Sequence, residues 1–129
     1  MKLRNFKPSF VPGIIWLIIS TILFCLPASA LPKETWLEKI WFDKWVHIGI
    51  FVVLVITWCW ACMSKQYLPA RLRLIFFCIS LTALFYGAGM ELVQHTLVPN
   101  REFDVGDIIA DAVGCFAGFL YSTRRYIKK

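Results

Sequence analysis

The sequence predicts an all-α integral membrane protein, a bundle of four transmembrane helices. Three observations carry that expectation. Of the 129 residues, 59% are hydrophobic, above the roughly 45–50% apolar share of ordinary soluble domains. A soluble chain this short has no core large enough to hide that surface. The apolar residues fall into four runs, joined by short connections that carry Pro27, Pro32, Pro69 and Pro99. Basic and acidic residues segregate to opposite ends of those runs.

The first run extends from Val11 to about Leu26 and predicts a helix over 11–27. Lys2, Arg4 and Lys7 precede it, and Ala28-Ser29-Ala30 follows it, which is also the layout of a cleaved signal peptide. We expect the segment to be retained. The second run, Trp45 to Met63, predicts a helix over 45–63, and the third, Leu72 to Val98, one over 72–98 whose last third turns polar. The fourth, Ile108 to Tyr121, predicts a helix over 107–122. A spanning helix needs about 20 residues, so the first and last runs must extend into their flanks. No internal repeat or low-complexity stretch divides the chain, which reads as one domain, 1–129. Cys25, Cys59, Cys62, Cys78 and Cys115 all lie within apolar runs, so no disulfide framework is expected. Cys59 and Cys62 form a CxxC without a second pair, and we read them as small apolar helix residues.

Orientation follows from the lysines and arginines. With the N-terminus inside, Lys2, Arg4, Lys7, Lys65, Arg71, Arg73, Arg124, Arg125, Lys128 and Lys129 face the cytoplasm, and Lys33, Lys39, Lys44 and Arg101 face out. All eight acids, Glu34, Glu38, Asp43, Glu91, Glu102, Asp104, Asp107 and Asp111, fall on the outer side or in the outer part of a helix. The expected location is a bacterial inner membrane, multi-pass, with both termini cytoplasmic. Positive-inside bias accounts for the net charge of +6 without a nucleic-acid partner.

This topology brings ionisable groups from three segments to one level. Asp43, Lys44 and His47 open the second helix; Glu91, Gln94 and His95 close the third; Arg101, Glu102 and Asp104 lie in the outer connection; Asp107 and Asp111 open the fourth. The spacings of three and four place each set on one helix face. Asp107, Asp111, Gly114 and Gly118 continue one stripe, and Gly114-x-x-x-Gly118 lets another helix approach closely. Charges at membrane depth cost about 2.5–3.5 kcal/mol at a helix centre, so the acids need partners, and Lys44, Arg101 and His47 are available. Simpler roles stay open. Asp43 would cap the second helix, and Asp104 or Asp107 the fourth. His47 would be an interhelical hydrogen-bonder and His95 an interfacial residue. The tryptophans lie mostly near run ends and read as an aromatic belt. Glu91, late in an apolar helix, has no capping role and is the strongest functional candidate.

Asp43-Lys44-x-x-His47, with Phe51 a turn later, then Glu91-x-x-Gln94, Pro99-x-Arg101-x-x-Asp104-x-x-Asp107 and Gly114-x-x-x-Gly118 resemble the VanZ-like family, small multi-pass proteins related to the teicoplanin-resistance protein. The match runs from about Asp43 to Tyr121. Asp111 departs from it, since many members carry Asn there. The resemblance implies a membrane bundle with a polar cluster at Asp43, Lys44, His47, Glu91, Gln94, Arg101, Asp104 and Asp107, to which Asp111 adds an acid. It assigns no catalytic residue, metal or cofactor.

The function expected from these residues is binding or processing of an envelope lipid or glycolipid head group at the outer side, and the resemblance implies a link to glycopeptide tolerance. Arg101 and Lys44 would meet phosphate; Glu91, Asp107 and Asp111 would hold a cation or bond sugar hydroxyls. The expected partners are membrane lipids and a lipid-linked envelope precursor or glycopeptide. Two alternatives remain. One is an enzyme at the same site, with His47 or Glu91 as general base and the acids binding a divalent metal. The other is a small proton-coupled transporter, for which the inner halves offer mainly Thr57, Ser80 and Thr82.

Overall fold

A computed structural model describes residues 7–30 and 35–127. Lys2, Arg4, Lys33, Glu34, Lys128 and Lys129, whose charges contribute to the expected orientation, lie outside the described residues. Among the described residues the fold is all-helical: α1 (Val11–Phe24), α2 (Thr35–Lys39), α3 (Phe42–Ala61), α4 (Pro69–Leu97) and α5 (Val105–Tyr126), with 3-10 turns at Ala28–Ala30 and Cys62–Ser64.

Local chemistry sets the boundaries. Proline lies in the first turn of both α1 and α4, where its missing N–H has no helical partner to lose. The helix α4 stops at Leu97, one residue short of the residue before Pro99, and that position disfavours helical dihedrals. Asp104 caps α5 by accepting a hydrogen bond from the Gly106 N–H at 2.7 Å. The reversal before α5 uses Asn100 at φ 58°, a left-handed position that Asn tolerates. Trp41, the N-cap of α3, takes the same conformation at φ 53°.

Three helical segments are long and apolar enough to cross a membrane: Phe42–Ser64, Pro69–Leu97 and Val105–Tyr126. The expected first span, 11–27, is shorter: α1 has 14 residues, about 21 Å at 1.5 Å per residue against about 30 Å of hydrocarbon. Its C-terminal extension fails because Pro27 breaks the helix and Ala28–Ala30 forms a 3-10 turn. The other expected helices begin too late. Asp43 and Lys44 belong to α3 and residues 69–71 to α4, because polar and proline residues are stable in a first helical turn, and residues 105–106 belong to α5, because Asp104 caps it. The last helix also runs four residues past 122, to Tyr126. The short helix α2 has too little apolar periodicity to be legible beforehand.

The central helix is α3. A β-carbon on Gly114 would meet the Ile48 carbonyl oxygen at 2.6 Å and Phe51 Cβ at 2.8 Å; one on Gly118 would meet Val55 Cβ at 2.8 Å. The two glycines therefore bring the α5 backbone against α3. Phe51, Val55, Cys59 and Phe76 are fully buried between the helices. Antiparallel to α3 runs α1: a β-carbon on Gly13 would touch the Trp58 indole at 3.0 Å, Trp16 Nε1 donates to the Ile50 carbonyl at 2.9 Å, and Phe24 stacks near His47 with ring centroids 5.0 Å apart. Leu74, Phe77, Leu81 and Phe85 on α4, and Ile109, Val113 and Phe116 on α5, stay exposed at helical spacing. Water would penalise such continuous apolar faces; hydrocarbon does not.

Candidate polar site at one end of the bundle

The N-termini of α3 and α5 and the C-termini of α1 and α4 meet at one end of the bundle. There Lys44, in the first turn of α3, binds three carboxylates at once. Its Nζ donates to Asp43 Oδ2 at 3.1 Å, to Asp107 Oδ1 at 2.6 Å and to Asp104 Oδ2. Gly106 makes this crossing possible, since a β-carbon there would lie 2.9 Å from Lys44 Cε. The Lys44 ammonium holds the Asp104 carboxyl below the usual aspartate range.

One turn deeper on α3, His47 Nδ1 donates to Asp111 Oδ1 at 2.7 Å, while its Nε2 lies 3.7 Å from Asp107 Oδ2. Asp107 therefore faces Lys44 with one oxygen and His47 with the other. Asp111 is 1% exposed, and Gly87 leaves it room: a β-carbon there would stand 2.5 Å from Asp111 Oδ2 and 2.8 Å from Phe51 Cζ.

Glu91 is also 1% exposed. Its Oε1 accepts the backbone N–H of Asp104 at 2.6 Å, fastening the start of α5 to the end of α4. Its Oε2 is buried and has no hydrogen-bond partner among the described residues. A buried acceptor without a partner costs about 1–3 kcal/mol, so a partner for this oxygen would be stabilising.

Most residues expected in the cluster come together here: Asp43, Lys44, His47, Glu91, Asp104, Asp107 and Asp111 form one connected set. Gln94 does not join it. It is buried, and its Nε2 donates to the Phe24 carbonyl at 3.0 Å, closing the C-terminal end of α1. Asp43 lies in the first turn of α3 but is not its cap; the N-cap position is Trp41, with no side-chain capping hydrogen bond. Arg101 is half-buried and makes no ion pair among the described residues. His95 stays outside, exposed, edge-on to Phe103. Sequence reasoning missed the roles of Gly87, Gly106 and Phe24. Gly87 had a signal, one helical turn before Glu91 on the same face; Phe24 had none, because it contributes a main-chain carbonyl.

A cleft of about 330 Å³ opens beside these groups. Glu38, Asp43, His47, Arg101 and Asp107 form its polar wall, and Leu23, Phe24, Phe42, Val46 and Ile50 its apolar wall. Asp43, Asp104 and Asp107 each offer an oxygen within 4.8 Å of the others, a spacing that suits a cation.

No family model matches the chain. No solved structure matches it. Over 119 residues it is 32% identical to an uncharacterized protein of Schizosaccharomyces pombe, C11E3.10. The match covers 89% of this chain and 65% of that protein's length.

Proposed function

We propose that this is a four-pass membrane protein, both termini cytoplasmic, whose polar end binds the head group of a membrane lipid or glycolipid. The observation that carries the reading is the two-sided cleft. Its charged wall lies at the helix ends, and Leu23, Phe42 and Val46 on the other wall are at least one-third exposed, facing where lipid would lie. A ligand with a polar head and an apolar continuation suits both walls. Lys44 is committed to three carboxylates, so Arg101 is the cation that meets phosphate. His47 and Asp107 bond hydroxyl or amine groups of the head.

The fourth pass is α1. Its ends reach Trp58 near one end of α3 and His47 near the other, so it spans most of the bundle despite its length. Lys7, Lys65, Arg71, Arg73, Arg124 and Arg125 gather at the end away from the cluster, which supports its cytoplasmic placement. The VanZ-like resemblance, and with it a link to glycopeptide tolerance, rests on the motif residues alone. A relative from Schizosaccharomyces pombe favours a ligand not confined to bacterial envelopes.

Native mass spectrometry of the purified protein, scanning for retained lipid and metal, tests this. Loss of one retained phospholipid or glycolipid per chain in Arg101→Ala supports it. Retention unchanged by Arg101→Ala and by His47→Ala would overturn it.

A metal-assisted or acid–base enzyme at the same site is the second reading. It is favoured by Asp111 holding His47 through Nδ1, an arrangement that orients a general base, and by the carboxylate oxygens spaced for a cation. It ranks second because the Lys44 ammonium already occupies the space between those carboxylates.

A further inference from the structure

Away from the polar end, a larger groove of about 630 Å³ runs between α1, α3 and α4. Leu17, Leu54, Val55 and Trp58 form one side, and Leu74, Ile75, Cys78, Ile79, Thr82 and Ala83 the other. Its origin is a gap between α1 and α4. The two helices are tied together near the polar end, where Thr21 Oγ1 lies 2.8 Å from the Tyr86 hydroxyl and Gln94 bonds Phe24. The beginning of α1 packs instead on Trp58 of α3. The groove between them is closed at Tyr86, and Arg71 lines its other end.

We propose that this groove binds one acyl chain of an anionic phospholipid from the leaflet on the Arg71 side, with the phosphate at Arg71. Two observations choose this occupant. The first is length. Arg71 and Tyr86 stand 15 positions apart on α4, about 22 Å of helix at about 1.5 Å per residue. One leaflet with its head-group layer is about 20–22 Å deep, half of a bilayer's 40–45 Å. The groove therefore matches a single lipid from head group to chain end. The second is charge. Arg71 is exposed, its guanidinium lies 5.2 Å above the Tyr67 ring, and it has no carboxylate partner among the described residues. The face on Tyr67 holds it at the groove mouth and leaves its N–H donors for phosphate oxygens. The walls between Arg71 and Tyr86 carry no charge, as an acyl chain requires.

This site is independent of the head-group cleft at the opposite end. The experiment is titration of the detergent-purified full chain with short-chain phosphatidylglycerol and phosphatidylcholine, read by native mass spectrometry. Arg71→Gln removes the phosphate partner, and Thr82→Trp fills the groove from an exposed position. Arg73→Gln is the control, losing the same charge from a residue that does not line the groove. The expected result is tighter binding of phosphatidylglycerol than phosphatidylcholine, weakened about five-fold by Arg71→Gln, unchanged by Arg73→Gln, and lost for both lipids in Thr82→Trp with helicity retained by circular dichroism. Equal effects of Arg71→Gln and Arg73→Gln, undiminished binding in Thr82→Trp, or a protein dimer that Thr82→Trp dissociates would each overturn it. The Arg101→Ala variant should leave this binding intact, so its outcome is separate from that of the polar cleft.

Discussion

Removing the Lys44 ammonium should both destabilise the bundle and turn its polar end into a cation site. Lys44→Gln leaves Asp43, Asp104 and Asp107 within 4.8 Å of one another without a positive charge between them. Two limits bracket the cost. Exposed ion pairs contribute about 0.2–1 kcal/mol, and breaking a buried one costs about 3–5 kcal/mol. Asp107 is 12% exposed, Lys44 22%, and Asp43 and Asp104 about half, so solvent screens two of the three pairs. A loss of about 2 kcal/mol follows, on the order of 8 °C in melting temperature for a chain of this size. Calcium should then recover much of it. With a dissociation constant of about 1 mM, usual for weak carboxylate sites, 10 mM calcium contributes about 1.4 kcal/mol. The assay is thermal melting of detergent-purified wild type and Lys44→Gln, with and without calcium. Wild type should respond little, because its own ammonium fills the site. A variant that melts like wild type and ignores calcium would show that the three carboxylates are not held together, and the proposed polar end would fall with them.

Three further outcomes are expected. Gly114→Ala should cost about 1–3 kcal/mol by melting, because its new methyl group meets the α3 backbone at the Ile48 carbonyl; Gly49→Ala, with nothing within 4 Å, should be neutral or gain up to about 1 kcal/mol. Asp104 is held below the usual aspartate range by Lys44, so its contribution is present above that range and is lost as pH falls through the lowered value; melting below pH 5 should therefore decline less steeply in Asp104→Asn, which keeps the cap, than in wild type. Glu91→Gln should melt like wild type or slightly higher, since Gln still accepts from the Asp104 N–H, yet should lose retained lipid at the polar end; full retention would remove Glu91 from the site.

Part of this was legible in the sequence for a physical reason. Apolar runs and acid spacing are local properties, so the three long helices and the gathering of Asp43, His47, Glu91, Asp107 and Asp111 at one end could be read in advance. Partnership is not local. Nothing in the sequence says that Lys44 engages Asp104 and Asp107, 60 and 63 residues away, or that Gln94 turns to the Phe24 carbonyl rather than to the acids. The Gln94 spacing from Glu91 was compatible with a shared face, but a main-chain carbonyl at the end of α1 leaves no signature in residue type. The shortness of α1 was misread because an apolar run measures hydrophobicity, whereas Pro27 decides where the helix stops.

The site exists because small residues stand where the acids need depth. Gly114 and Gly118 bring α5 against α3, which places Asp107 and Asp111 within reach of Lys44 and His47. Gly106 lets Lys44 cross α5, and Gly87 lets Asp111 enter beside Phe51. Each acid on α5 thereby acquires a cation or a ring nitrogen: Asp104 has Lys44, Asp107 has Lys44 and His47, and Asp111 has His47. Glu91 differs in having neither Lys44 nor His47 as a hydrogen-bond partner. One of its oxygens holds the α5 N-terminus through a backbone N–H, and the other is buried without a hydrogen-bond partner among the described residues. A residue needed only to fasten two helices would not require that second oxygen. Its unfilled bonding capacity, next to carboxylates that each engage Lys44 or His47, makes Glu91 the group through which a bound ligand would most directly be felt in the packing of α4 against α5.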